Sequence, residues 1–254
     1  MALDKSMTVA RTDLSMALKV GYVKYGLIVT AAIGPIMVLG TGGILVFTAA
    51  GPTELYVIMQ MLSPMLAPML GLVAIIPASL IAANALVGER EQNTLEPLLC
   101  TPLTDRELLI GKVLSSFIPS IALLFASIII SEIGSIAMFM IAGFEPMLVP
   151  DVSGLLLLLT AGPLMILAMN SIMIIISGKV ARVYEAYQTS GAAVMVFIIP
   201  MFLPFVTLGS SGSVDPSSIW VSDIITILIA ATLFVITWAV AFGRFNRDRM
   251  VSLV

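Results

Sequence analysis

The chain has 254 residues, of which 59% are hydrophobic and 11% charged, with a mean hydropathy of +1.12 and a formal net charge of −3. A soluble domain carries roughly 25% charged residues, so this composition excludes a water-soluble globular fold. It specifies an all-α integral membrane protein, because a bilayer core of about 30 Å takes about 20 apolar residues per helix and the short alternating strands of a β-barrel are not visible.

In chain order, residues 1–24 lack the apolar run and small-residue cleavage site of a signal peptide. Val9, Leu14, Ala17 and Leu18, with Lys19 and Lys24 beside them, instead predict an amphipathic helix on the cytoplasmic membrane interface. Six apolar runs follow: Tyr25–Ala50, Tyr56–Val87, Val113–Phe144, Val152–Ser177, Ala186–Leu208 and Ile224–Phe242. The first is expected to be interrupted at Gly40-Thr41-Gly42-Gly43. The second carries Pro64, Pro68 and Pro77, and the fifth Pro200 and Pro204. Proline removes a backbone donor, so such helices suit bending or lining a cavity. The region from Pro200 to Asp223 is expected to dip back into the membrane. The whole chain, 1–254, reads as one transmembrane domain with no room for a second folded unit.

Topology follows from charge. Lys5, Arg11, Lys19 and Lys24 precede the first span, and Arg90, Arg106 and Lys112 lie between spans two and three. Lys179 and Arg182 lie between spans four and five, and Arg244, Arg247 and Arg249 follow the sixth. Every basic residue thus falls on the side shared by the two termini, whereas the opposite loops hold only the acids Glu54, Glu145, Asp151, Asp215 and Asp223. The positive-inside rule makes both termini cytoplasmic. The expected location is the cell membrane, and no nucleic-acid partner is expected.

The segment from Val87 to Lys112, VGEREQNTLEPLLCTPLTDRELLIGK, holds eight of the 27 charged residues between two apolar runs. Thr104 and Glu107 are spaced as a capping box that starts the third span, with Leu103 and Leu108 as its hydrophobic staple. A weaker box at Asn93–Glu96 opens a short helix that must end before Pro102. Its Leu95, Leu98 and Leu99 need a surface to bury against, either the membrane face of the protein itself or a cytosolic partner. The whole stretch resembles the signature of ABC-type-2 exporter permeases. The matching elements are Glu89-Arg90-Glu91, Thr94-Leu95-Glu96, Leu98-Leu99, Thr101-Pro102-Leu103 and Glu107–Lys112, and Asn93 departs from the glycine usual in that family. The resemblance implies that residues 88–112 are a coupling segment docking on a separate ATP-binding-cassette ATPase subunit. It also implies that two permease copies and two ATPases form the working unit, with ATP and Mg on the partner and no cofactor on this chain. The path between copies would then be lined by spans two and five.

The energy source can be weighed independently. No phosphate-binding Gly-x-x-x-x-Gly-Lys-Ser/Thr loop occurs, since Gly111-Lys112 and Gly178-Lys179 are each followed by valine. Within the spans only Glu132 is charged. It stands roughly 30 Å beyond Lys112 at 1.5 Å per residue, which reads first as an interfacial or pathway-rim carboxylate and only secondarily as a proton relay. An intramembrane enzyme would need a nucleophile with a base or paired acids, and the chain has no histidine and no Gly-x-Ser-x-Gly. Met59, Met61, Met65 and Met69 could suit Cu(I), but with one cysteine, Cys100, they read as core filler and no metal site is expected. Asn170 inside the fourth span reads as a helix-packing residue that could alternatively face substrate. A membrane anchor or assembly scaffold without transport remains the competing reading of the same topology. The topology is tested with single cysteines at Glu54, Asp151 and Ser213 in a Cys100-free background. All three should react with an impermeant thiol reagent from outside, and outside labelling next to Arg182 instead would reverse the assignment.

Overall fold

The structure is a computed structural model that describes residues 2–49, 51–88, 91, 104–180, 182–201 and 216–244. Among these no strand occurs. The helices are α1 (Ala2–Lys19), α2 (Gly21–Thr48), α3 (Pro52–Ala83), which runs on into a π-helical turn at Asn84–Gly88, α4 (Asp105–Ile141), α5 (Val152–Ser177), α6 (Val183–Met201) and α7 (Pro216–Arg244). Five segments are long and apolar enough to cross a membrane: Gly21–Thr48, Met65–Gly88, Arg106–Ile141, Val152–Ser177 and Ile219–Gly243. The expected fifth run corresponds to α6, which has 19 described residues and is not among these five; residues 202–208 lie outside the described residues.

The helix starts are set by groups that satisfy a first-turn amide or need none. Asp151 Oδ1 accepts the Gly154 N–H at 3.3 Å and so caps α5. Pro52 opens α3, where a missing N–H costs nothing. The expected interruption at Gly40–Gly43 is not found, since α2 is continuous through these residues. Of these glycines Gly42 serves close packing, since a Cβ there would lie 2.8 Å from Met138 Cε of α4, whereas one on Gly40 would meet nothing within 4 Å.

The most enclosed helix is α3, which packs on α2, α4, α5 and α6. Its sequence explains why: Ala67, Ala74, Ala78, Ala82 and Ala83 let neighbours approach on several sides, and all are buried. The Pro68 and Pro77 positions are buried within an unbroken helix. From α5 come Leu157, Leu158, Ala161, Met165, Ile166, Met169 and Met173, all fully enclosed in the same core. Met59, with Met165, Met169 and Met173, is a core side chain, whereas Met61, also expected as core filler, is 41% exposed. The outer faces of α2, α4 and α7 show large apolar residues such as Ile28, Ile44, Ile133, Leu228 and Val235, a surface suited to lipid.

The amphipathic first segment is a helix with one buried stripe, Ser6, Val9, Ala10, Asp13 and Ala17. This stripe lies on α4 rather than merely against the membrane. Ser6 Oγ donates to the Glu107 carbonyl at 3.0 Å, and a Cβ on Gly111 would meet Val9 Cβ at 2.8 Å and the Ser6 carbonyl at 2.9 Å. Neither obstacle is a flexible side-chain tip. Gly111→Ala should therefore lift α1 off α4 and destabilise the fold by about 1–3 kcal/mol. Gly43→Ala, whose added carbon would meet only Met138 Sδ at 3.5 Å, should leave the thermal unfolding midpoint unchanged or slightly raised. Equal midpoints for the two variants in non-ionic detergent would contradict this packing.

Candidate coupling site

The basic end of the bundle is where the termini-side helix ends meet, and its local chemistry begins with the start of α4. Thr104 and Glu107 form the expected capping box. Glu107 N–H donates to Thr104 Oγ1 at 3.3 Å, while Thr104 N–H donates to Glu107 Oε2 at 2.9 Å. The box holds the end of the charged segment in a fixed direction against α1.

One turn further along α4 the Lys112 side chain is 3% exposed. Its ammonium donates to the carbonyl of Ala85 in the π-helical turn and stands 3.7 Å from Asp13 Oδ2 of α1, itself 6% exposed. A π turn displaces the ordinary ladder of carbonyls, and here it presents one of them to the lysine. Three elements, α1, the end of α3 and α4, therefore converge on one buried cation. A second polar knot lies beside it. Tyr22 of α2 donates from its hydroxyl to Asn84 Oδ1 at 2.9 Å. Asn84 Nδ2 donates to the Leu80 carbonyl at 2.9 Å and to the Tyr187 hydroxyl of α6. Tyr22 and Tyr187 meet edge to face at 5.3 Å. Glu91 adds a third tie: its Oε2 accepts the Val183 N–H at 2.9 Å, at the first residue of α6.

The charged segment is thus bracketed by attachments. On its near side Glu91 holds the start of α6, and on its far side the capping box and Lys112 hold α1, α3 and α4. Of the predicted coupling residues only Glu91 is described. Glu89, Arg90, Thr94, Leu95, Glu96, Leu98 and Leu99 lie outside the described residues, as does Pro204; Pro200 belongs to α6 with its side chain outside that description.

The remaining predicted residues fall elsewhere. Asn170 is 1% exposed, and its Oδ1 accepts from Ser116 Oγ at 2.8 Å, which ties α5 to α4 inside the protomer. It is a packing residue here and opens to no cavity described. Glu132 lies at the opposite, acidic end, beside the Val149 backbone and Asp151, with both carboxylate oxygens shut off from solvent and without a hydrogen bond of ordinary length.

Asp13 and Asn84 take part in these polar ties, yet hydropathy does not find them, since a lone acid near a terminus reads as solvated. The signal present in the sequence was positional: Asp13 continues the stripe 6, 9, 10, 17, which marks the face that meets a partner.

Two comparisons bear on this arrangement. A family model described as "ABC-2 family transporter protein" matches residues 4–211, which takes in α1 to α6 and the whole charged segment. No curated protein matches the chain.

Lys112→Met removes the cation and leaves Asp13 buried beside an apolar side chain. Loss of one partner of a buried pair costs about 3–5 kcal/mol, so the variant should unfold at a clearly lower temperature. Adding Asp13→Asn to it should recover part of the loss. A single variant as stable as wild type would show that the bundle does not depend on this cation.

Proposed function

Because the chain belongs to the ABC-2 transporter family and is a multi-pass permease component of an ATP-binding-cassette transporter, we propose that it works as an exporter subunit driven by ATP hydrolysed on a separate ATPase. In this reading both termini and residues 88–112 are cytoplasmic in the cell membrane, and the segment docks on the ATPase with Leu95 and Leu98 as its apolar anchors. The observation that supports it best is the bracketing of the segment by Glu91 on α6 and by Lys112 on α1 and α3. A push on the segment would be delivered to four helices at once, because the attachments are short and the Lys112–Asp13 pair is enclosed. A surface loop serving only as a connection needs no such ties.

Two copies would form the working unit, with the substrate path between them. The face best suited to pairing is on α6, where Tyr184, Gln188, Thr189, Gly191 and Ala192 stand exposed. An uncovered glutamine and a small-residue surface on an apolar helix favour a helical neighbour over lipid. Span two, expected beside it, has most of its surface committed to the protomer's own core, which leaves the larger share of the lining to span five. The outward apolar faces of α2, α4 and α7 match lipid tails in the same way on each copy.

Leu95→Asp tests the coupling role. It puts a charge into an apolar contact, a change costing several kcal/mol where the site stays dry. The expected outcome is a normally inserted permease that no longer co-purifies with its ATPase or no longer stimulates ATP turnover in proteoliposomes. Wild-type binding, turnover and transport in this variant would remove the coupling assignment and favour the scaffold reading.

A further inference from the structure

The acidic end of the bundle carries a cavity of about 490 Å³ between the starts of α3, α5 and α7 and the loop at 145–147. Tyr56, Gln60, Glu145, Asp151 and Trp220 are among its walls. Those walls are held in place before anything binds. The Tyr56 hydroxyl accepts the Glu145 N–H at 2.8 Å, and the Ser63 hydroxyl accepts the Asp151 N–H at 2.6 Å. The Asp151 carboxylate is oriented by the Gly154 N–H at 3.3 Å and by the Ser153 hydroxyl at 2.9 Å.

Behind the cavity stand two more carboxylates. Asp223 is 2% exposed, lies beside Ser153 and Asp151, and its Oδ2 has no hydrogen-bond partner. Glu132 adds its enclosed carboxylate from α4. No basic residue occurs between Lys24 and Arg90, between Lys112 and Lys179, or between Arg182 and Arg244, and the chain has no histidine. The nearest basic positions along these helices are thus roughly 30 Å away at 1.5 Å per residue. Among the described residues, four acidic side chains therefore gather at an end that carries no basic side chain. Of the four, Asp223 and the oxygens of Glu132 are enclosed; burying carboxylate charge without a counter-charge is costly, and a cation bound in the adjoining cavity would offset it.

We propose that this cavity binds an amphiphilic organic cation, an ammonium or phosphonium centre on an apolar body, with Glu145 and Asp151 facing the charge and Tyr56 and Trp220 facing the body. The size falls within the range of small-molecule pockets, and aromatic walls attract a weakly hydrated cation in addition to the carboxylates. A metal ion fits less well: among the described residues no three His, Cys, Asp or Glu side chains converge as metal ligands, and both Asp151 oxygens are already hydrogen-bonded. Binding of this kind needs neither nucleotide nor a partner subunit, so it stands or falls separately from the export reading.

The test uses the full chain purified in a non-ionic detergent, with radiolabelled tetraphenylphosphonium in equilibrium dialysis. Tetraphenylborate, of the same shape and opposite charge, is measured separately. Saturable binding of the cation, absent for the anion, is expected. Glu145→Gln combined with Asp151→Asn should weaken it about ten-fold or more, the loss of one to two charged contacts. Asparagine keeps the helix cap at 151, and Glu145 is exposed, so the double variant should remain folded and monodisperse. Trp220→Ala should weaken binding about two- to five-fold through the lost aromatic face. Absence of saturable cation binding, equal binding of the anion, or wild-type affinity in a monodisperse double variant would each overturn the proposal.

Discussion

A charged ammonium held out of water must be given partners by the fold, and the position of Lys112 imposes that demand on three helices at once. Its donors reach the Ala85 carbonyl and the Asp13 carboxylate, so neither α1 nor the π turn that ends α3 can move without exposing or orphaning a charge. Burial of one partner alone would be strongly unfavourable. This makes the basic end of the bundle a set of mutually dependent parts. Gly111, next in sequence, allows the approach that the ion pair needs, because α1 backbone occupies the space a side chain would take.

The same end also holds the tyrosine–asparagine knot and the Glu91 tie, so these polar side-chain ties lie where the charged segment leaves and re-enters the bundle. The middle of the protomer is different in kind. There most links are van der Waals contacts between alanines, leucines and methionines, with serines bonding back to their own helix as at Ser120 and Ser171, and the Ser116–Asn170 bond is a polar exception. A rigid polar end joined to a smoothly packed apolar middle is a mechanical arrangement suited to passing movement along helices as units.

At the far end the balance reverses. Carboxylates collect without basic partners, and the loop between α4 and α5 is fastened to α3 by the hydroxyls of Tyr56 and Ser63. Fastening by neutral groups leaves the acids uncompensated. The two ends of the bundle therefore differ in more than sign: one satisfies its charges internally and the other does not.

Much of this was legible in the residues themselves. Composition alone required helices in a membrane, the apolar runs placed them to within a turn or so at most ends, and the Thr104–Glu107 spacing announced its own cap, because each of these follows from interactions between residues close in the chain. Membership of the transporter family was readable from the 87–112 motif for the same reason. What hydropathy could not supply was which helix would be central, that α2 would run unbroken through Gly40–Gly43, that Asp13 and Lys112 would meet, or that Asn84 would join Tyr22 and Tyr187. Those depend on contacts between residues 27 to 103 positions apart, and a pattern along one helix shows which face is buried without showing what covers it. Only the packed bundle decides the covering partner, since a buried charge or a missing side chain acquires its meaning from the atoms that the other helices bring to it.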